Sequence, residues 1–254
     1  MLADFKSLRV TADGPVLNVQ LNRPESGNSI DGHTLTELLE VLRALEDDRT
    51  VRVMVLSGTG DHFSQGADRA EFRSLMDKDT AGAELRALAD RAHRVCLALS
   101  HMAVVTIAQL HGDVIGAGLG LAAFCDLRIG ADTCRFRMPE VVLGIPPVWG
   151  GVLPRLAEEA GQAQVRRLLL TAESFDANRA QQMSILHEVV PAADLNAAVT
   201  RWVKPIVRRD PTTMRITKSI LNARAGAAEL SVGSHLDAEL LTAAITRRDL
   251  ARGQ

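Results

Sequence analysis

The stretch 104–151, VVTIAQLHGDVIGAGLGLAAFCDLRIGADTCRFRMPEVVLGIPPVWGG, constrains this chain more than any other. An apolar strand candidate at 104–109 leads to Gly116-Ala117-Gly118-Leu119-Gly120, three glycines in five residues where a helical pattern begins. Each glycine inside a helix costs roughly 1 kcal/mol relative to alanine, so something must need the backbone to come close here. The first N–H groups of a helix lack intrahelical partners, and the macrodipole makes them electropositive. They suit an anion, or a carbonyl oxygen that gains negative charge. Tight helix–strand packing without a ligand accounts for these glycines equally well. A dinucleotide fingerprint does not, because position 121 is Leu121 and no first-strand βαβ unit surrounds the segment.

A second glycine turn, HFSQGADRAEF at 62–72, offers another backbone donor. Gly66 permits a sharp bend, and Asp68 is read as the cap of a short helix over 68–72. The Ala67 N–H could join the Ala117 N–H in polarising one carbonyl. Downstream, Glu140 stands in MPEVVLG among apolar residues. Burial there would raise its pKa and suit it to moving a proton near neutral pH.

Composition narrows the class. The 254 residues carry a formal net charge of −2, with Lys and Arg scattered, so nothing argues for nucleic acid or an anionic membrane. Cys96, Cys125 and Cys134 are odd in number and lack C-x-x-C spacing, which favours small buried thiols in a reducing compartment over a disulfide frame or metal site. No signal peptide or membrane span is evident, so a cytoplasmic enzyme or binding protein is expected. Tyrosine is absent, which excludes a phenolic proton donor.

The pattern predicts a hairpin over 7–21 around Asp13-Gly14, then a helix capped by Ser29 or Asp31. A buried strand at 51–58, a helix over 80–100 and strands at 104–109, 126–129 and 135–136 follow. After residue 150 only helices are predicted. The expectation is an α/β core over 1–190 with a helical region at 191–254.

Taken together, the motifs resemble the crotonase superfamily, the enoyl-CoA hydratase/isomerase family. The matching pieces are LNRPESGNSI, VRVMVLSGTGDHFSQGADRAEF, AQLHGDVIGAGLGLAAFCDLRIGA, FRMPEVVLGIPP and AQQMSILHEVVP, in family order over about 5–225. The resemblance implies a crotonase-like repeated ββα spiral core and a helical C-terminal region that builds a homotrimer or dimer of trimers. It also implies an acyl-CoA thioester ligand, with coenzyme A as part of the substrate and no separate cofactor or metal. Ala67 and Ala117 match the family's oxyanion-hole donors, and Glu140 matches its PE glutamate. Ser26, Ser29 and Ile30 match the adenine-binding segment, and Lys218 resembles a basic residue that approaches CoA phosphates. Gln65, Asp68, Gly118, Leu119, Gly120, Pro139, Leu143 and Trp149 complete the expected binding set.

One departure matters. The hydratases' first glutamate would stand at position 120, where this chain has Gly120, leaving one carboxylate and a pocket that Gly120 is expected to enlarge. Proton transfer between carbons needs one base and an enolate trap, so 3-enoyl to 2-enoyl-CoA isomerisation is the leading expectation. Hydration remains open, as do carbon–carbon bond chemistry and a non-catalytic acyl-CoA-binding role.

Overall fold

A six-stranded sheet organises the fold, described by a computed structural model over residues 4–78, 82–231 and 238–244. Strands β1 (Leu8–Asp13) and β2 (Val16–Leu21) form the expected antiparallel hairpin, with Gly14 at φ +54° in its turn. Helix α1 (Gly32–Asp47) is capped by Asp31, which accepts from the Thr34 N–H at 2.7 Å. The next elements are β3 (Val53–Gly58), α2 (Arg69–Lys78), α3 (Ala83–His101) and β4 (Val105–Leu110). After them come β5 (Asp113–Ile115), α4 (Ala117–Ala123), β6 (Leu127–Ala131) and β7 (Arg135–Arg137). The chain continues through α5 (Val152–Ala160), α6 (Gln162–Thr171), β8 (Phe175–Asp176), α7 (Ala177–Gln182), β9 (Glu188–Val190), α8 (Leu195–Arg208) and α9 (Pro211–Ser231).

The large sheet has the order β1-β2-β3-β4-β6-β9 and is parallel from β2 onward. Its middle strands are mostly apolar because both faces are covered, and β3 is buried at every position. Helices α1 and α3 pack together and bury Leu35, Leu38, Leu42, Val95 and Leu99. A second, three-stranded sheet has the order β5-β7-β8.

Two sequence expectations need correction. The region after residue 150 is not helical throughout: β8 pairs with β7, and β9 completes the large sheet beside β6. The segment 113–115, for which the sequence pattern predicts no element, is strand β5. Strands of two or three residues carry too little alternation to announce themselves, and pairing partners distant in sequence create them. The three cysteines are buried and outside any disulfide, and burial pushes the Cys125 and Cys134 thiols up to about 12, so neither supplies a thiolate at neutral pH.

Strands β3 and β4 are adjacent and parallel, and the chain leaves both at the same edge of the sheet. The two glycine turns lie just beyond their carboxyl ends, where open α/β sheets generally place ligands.

Candidate active site

The first turn is held by two short pairings. The Ile30 N–H donates to Gly66 O at 2.8 Å, and the Asp68 N–H donates to Ile30 O at 2.9 Å. Because backbone groups alternate in direction along an extended segment, the intervening Ala67 N–H faces away from Ile30. Ser64 fixes the other side of the turn by pairing with Val114, with the Ile115 N–H donating to Ser64 O at 3.0 Å.

The second turn begins where the Gly116 N–H donates to Arg137 O at 2.9 Å. Gly116 has φ 50° and ψ −117°, a conformation that suits glycine. It turns β5 into α4, so the Ala117 N–H becomes the first of that helix and has no intrahelical acceptor. A Cβ on Gly66 would stand 3.7 Å from the Ala117 nitrogen, so the two turns abut. Gly118 permits equally close approach: a Cβ there would meet the Ser64 Cβ at 2.8 Å.

The far end of α4 is anchored as firmly. Arg128, almost wholly buried, donates to Cys125 O at 3.0 Å and Ala123 O at 3.3 Å. Arg155 donates to Ala123 O at 3.1 Å, and both guanidiniums pair with Glu159. Cations at a helix C-terminus complement its dipole, and these also fill orphan carbonyls.

Strand β7 carries the second component. Two residues beyond Arg137, the chain turns at Pro139 into a 3-10 helix, Glu140–Leu143, which buries the Glu140 side chain to 9% exposure. Glu140 Oε1 lies 3.0 Å from where a Gly116 Cβ would stand, and Oε2 is buried without a hydrogen-bond partner among the described residues. Burial raises the Glu140 pKa above the ordinary carboxylate range, against a smaller opposing effect of its own backbone N–H. A buried, unpaired carboxylate oxygen is costly to a fold, and such groups concentrate at functional sites.

Ala67, Ala117 and Glu140 line one cavity of about 370 Å³. Gln65, Pro139, Leu143, Val148 and Trp149 line it as well. Residues missed by the sequence reading are Arg69, Phe72, Ile115, Ile145, Pro146 and Leu241, and Arg73 of α2 lines the cavity as well. Arg69, Phe72 and Arg73 share one face of α2 at helical spacing, which is the signal that could have found them.

The other expected site residues lie elsewhere. Leu119 is 1% exposed in the core, and Gly118 and Gly120 are buried in α4 without lining the cavity. Gly120 does not enlarge the pocket: a Cβ there would stand 2.6 Å from Cε3 of Trp149, whose indole takes the space. Asp68 caps α2 through the Ala70 and Glu71 N–H groups and pairs with Arg23 at 3.0 Å. Burial opposes its ionisation, but bonds from the Glu71 N–H, Ser29 and Arg23 outweigh that and hold its pKa low. Ser29 bonds Ser26 and Asp68, and Ile30 is buried beside Ala67; these three stand next to the cavity but outside its lining.

Lys218 does not reach toward solvent-borne phosphates. It is buried, donates to Val104 O at 2.8 Å, and pairs with Asp126 at 2.7 Å. Burial lowers its pKa, and the Asp126 carboxylate opposes that shift. The pair ties α9 to the segment that follows α4.

Abutting glycine turns at the carboxyl edge of a parallel sheet, with a buried carboxylate lining the same cavity, define a crotonase-type fold and site. The family description "Enoyl-CoA hydratase/isomerase" matches residues 11–254, and this chain belongs to that family. A probable enoyl-CoA hydratase of Mycobacterium tuberculosis is 30% identical over 249 residues, which is 98% of this chain and 93% of that protein. A crotonyl-CoA hydratase of Syntrophomonas wolfei is 32% identical over 205 residues, covering 80% of this chain and 76% of its own length. The crystal structure of an enoyl-CoA hydratase from Shewanella pealeana superposes with a TM-score of 0.82 at 28% identity, covering 88% of this chain and 82% of that one. Among the described residues no helix is long and apolar enough to cross a membrane.

Proposed function

We propose that this protein is an acyl-CoA enzyme that shifts a double bond by one-base proton transfer, converting 3-enoyl-CoA to 2-enoyl-CoA. Glu140 takes a proton from the carbon between the thioester carbonyl and the double bond. The electron pair left behind delocalises onto the thioester oxygen, which the Ala67 and Ala117 N–H groups stabilise. Collapse of that dienolate moves the double bond into conjugation, and Glu140 returns the proton to the distal carbon. Losing one oxyanion donor typically costs about 2.7–4 kcal/mol in barrier, and losing the base about 10²–10⁴-fold in rate.

The carrying observation is that Glu140 is the one carboxylate among the described residues lining this cavity. Trp149, Val148 and Ile145 line the same cavity and offer no second carboxylate to position a water. Hydration of 2-enoyl-CoA is the second reading, favoured by the hydratase names of the Mycobacterium and Syntrophomonas relatives. The chain is proposed to work as a homotrimer or dimer of trimers.

Conjugated thioester absorbance separates the two. Mixing enzyme with 3-enoyl-CoA should raise it, and mixing with 2-enoyl-CoA should leave it unchanged. A fall with 2-enoyl-CoA and no rise with 3-enoyl-CoA assigns hydration instead.

A further inference from the structure

Apart from Gln65 and Glu140, the side chains that line the cavity are apolar except on α2, which presents two arginines. Arg69 and Arg73 stand four residues apart, about 6 Å along the helix axis and on the same face. Both line the cavity that holds Glu140, and among the described residues neither forms an ion pair. The nearest carboxylates in sequence are engaged elsewhere: Asp68 with Arg23 and Ser29, and Glu71 with the Gly32 N–H at 3.0 Å. Like charges at this spacing destabilise a helix, so the pair opposes local stability unless an anion sits between them.

We propose that Arg69 and Arg73 bind a carboxylate at the far end of the acyl chain, so that the substrate class is a carboxylated enoyl-CoA. This deepens the reading of the cavity as an acyl-CoA site and rests on it. Arg69 lies two residues beyond the donor Ala67, at most about 7 Å of chain, and a guanidinium reaches a comparable distance. A short acyl chain whose carbonyl sits at Ala67 can span that gap. The phosphates of CoA stand off by the whole pantetheine arm. Phe72, on the same face as the arginines, packs with Ile145 and Val148 against the buried Leu85 and Leu241, so this edge adjoins the apolar part of the cavity, which suits an acyl chain. Guanidiniums bind carboxylates through paired N–H donors, and a few polar groups at the rim of an apolar pocket set ligand orientation.

The test compares two six-carbon 3-enoyl-CoA thioesters, one ending in methyl and the other in carboxylate. The wild type should favour the carboxylate by about tenfold to a hundredfold in kcat/KM, the worth of hydrogen bonds to a charged group. In the Arg69→Gln/Arg73→Gln variant that ratio should fall toward one. An unchanged ratio, or a wild type that favours the methyl-ended thioester, overturns the assignment. An equal loss for both thioesters, with a matching loss in affinity for free CoA, also overturns it and gives the arginines to the CoA phosphates. If neither thioester is turned over, equilibrium binding of the same pair still decides. Tighter wild-type binding of the carboxylated thioester, lost in the variant, upholds the carboxylate site while the proposed reaction fails.

Discussion

A Cβ on Gly120 would stand 2.6 Å from Cε3 of Trp149, so the small residue in α4 and the large one in the loop before α5 fill one space between them. The expected room for a second carboxylate is therefore occupied by an indole. Gly120→Glu should lose stability by about 1–3 kcal/mol, the usual cost of overpacking a filled site. Combining it with Trp149→Ala should recover part of that loss. Denaturant unfolding of both single variants and the double should therefore give a coupling energy above about 0.5 kcal/mol. Additive effects would contradict the shared space. The double variant is also the one in which hydration of 2-enoyl-CoA should rise.

Gly116 serves two partners at once, since its backbone turns β5 into α4 and its bare Cα admits Glu140 Oε1. Gly116→Ala places a methyl 3.0 Å from that oxygen at φ 50°. Strain of this kind costs on the order of 1–3 kcal/mol. Activity should fall further than stability accounts for, because both the Ala117 N–H and Glu140 are displaced. Thermal unfolding and kcat measured together check this; a stable variant with full activity contradicts it.

Glu140 links activity and stability to pH in opposite senses. Its pKa is raised by burial, so the folded state holds a proton that the unfolded chain has already released as pH climbs past the ordinary carboxylate value. In that window stability falls with rising pH, and the penalty is complete once pH exceeds the raised value. Glu140→Gln should therefore raise Tm at neutral pH and leave it nearly unchanged in acid. Wild-type kcat/KM should rise with pH along a limb centred above the usual carboxylate range. A variant that is destabilised at neutral pH would show that the ionised carboxylate is held by partners that the geometry lacks.

The internal position of Lys218 makes a structural prediction. Removing one partner of a buried ion pair leaves the other uncompensated and typically costs about 3–5 kcal/mol. Lys218→Met should lose stability on that scale through Asp126, while CoA affinity of the folded protein is unchanged. A selective loss of CoA affinity at wild-type stability would restore the expectation of a phosphate contact.

Much of this arrangement is legible in the sequence where the cause is local. The period of Leu35, Leu38, Leu39 and Leu42 announces α1, Asp13-Gly14 announces the hairpin, and the glycine run marks a close backbone approach. The opposing glycine turns and Glu140 can be proposed from motif order. What escapes is set by partners distant in the chain. Strand β9 exists because β6 offers an edge. Trp149 sits over Gly120 because the loop before α5 folds back across α4. Lys218 is expected at the CoA phosphates since nothing near it in sequence foretells Asp126. Arg69 and Arg73 look like ordinary surface charges until α2 is laid beside the cavity.

The central claim is that one carboxylate shuttles the proton while two backbone N–H groups hold the oxygen. It is tested most directly by single-turnover isomerisation of 3-enoyl-CoA with Glu140→Gln, with thioester affinity measured in parallel. The account predicts a rate loss of about 10²–10⁴-fold with affinity retained. A variant that isomerises at the wild-type rate would contradict it.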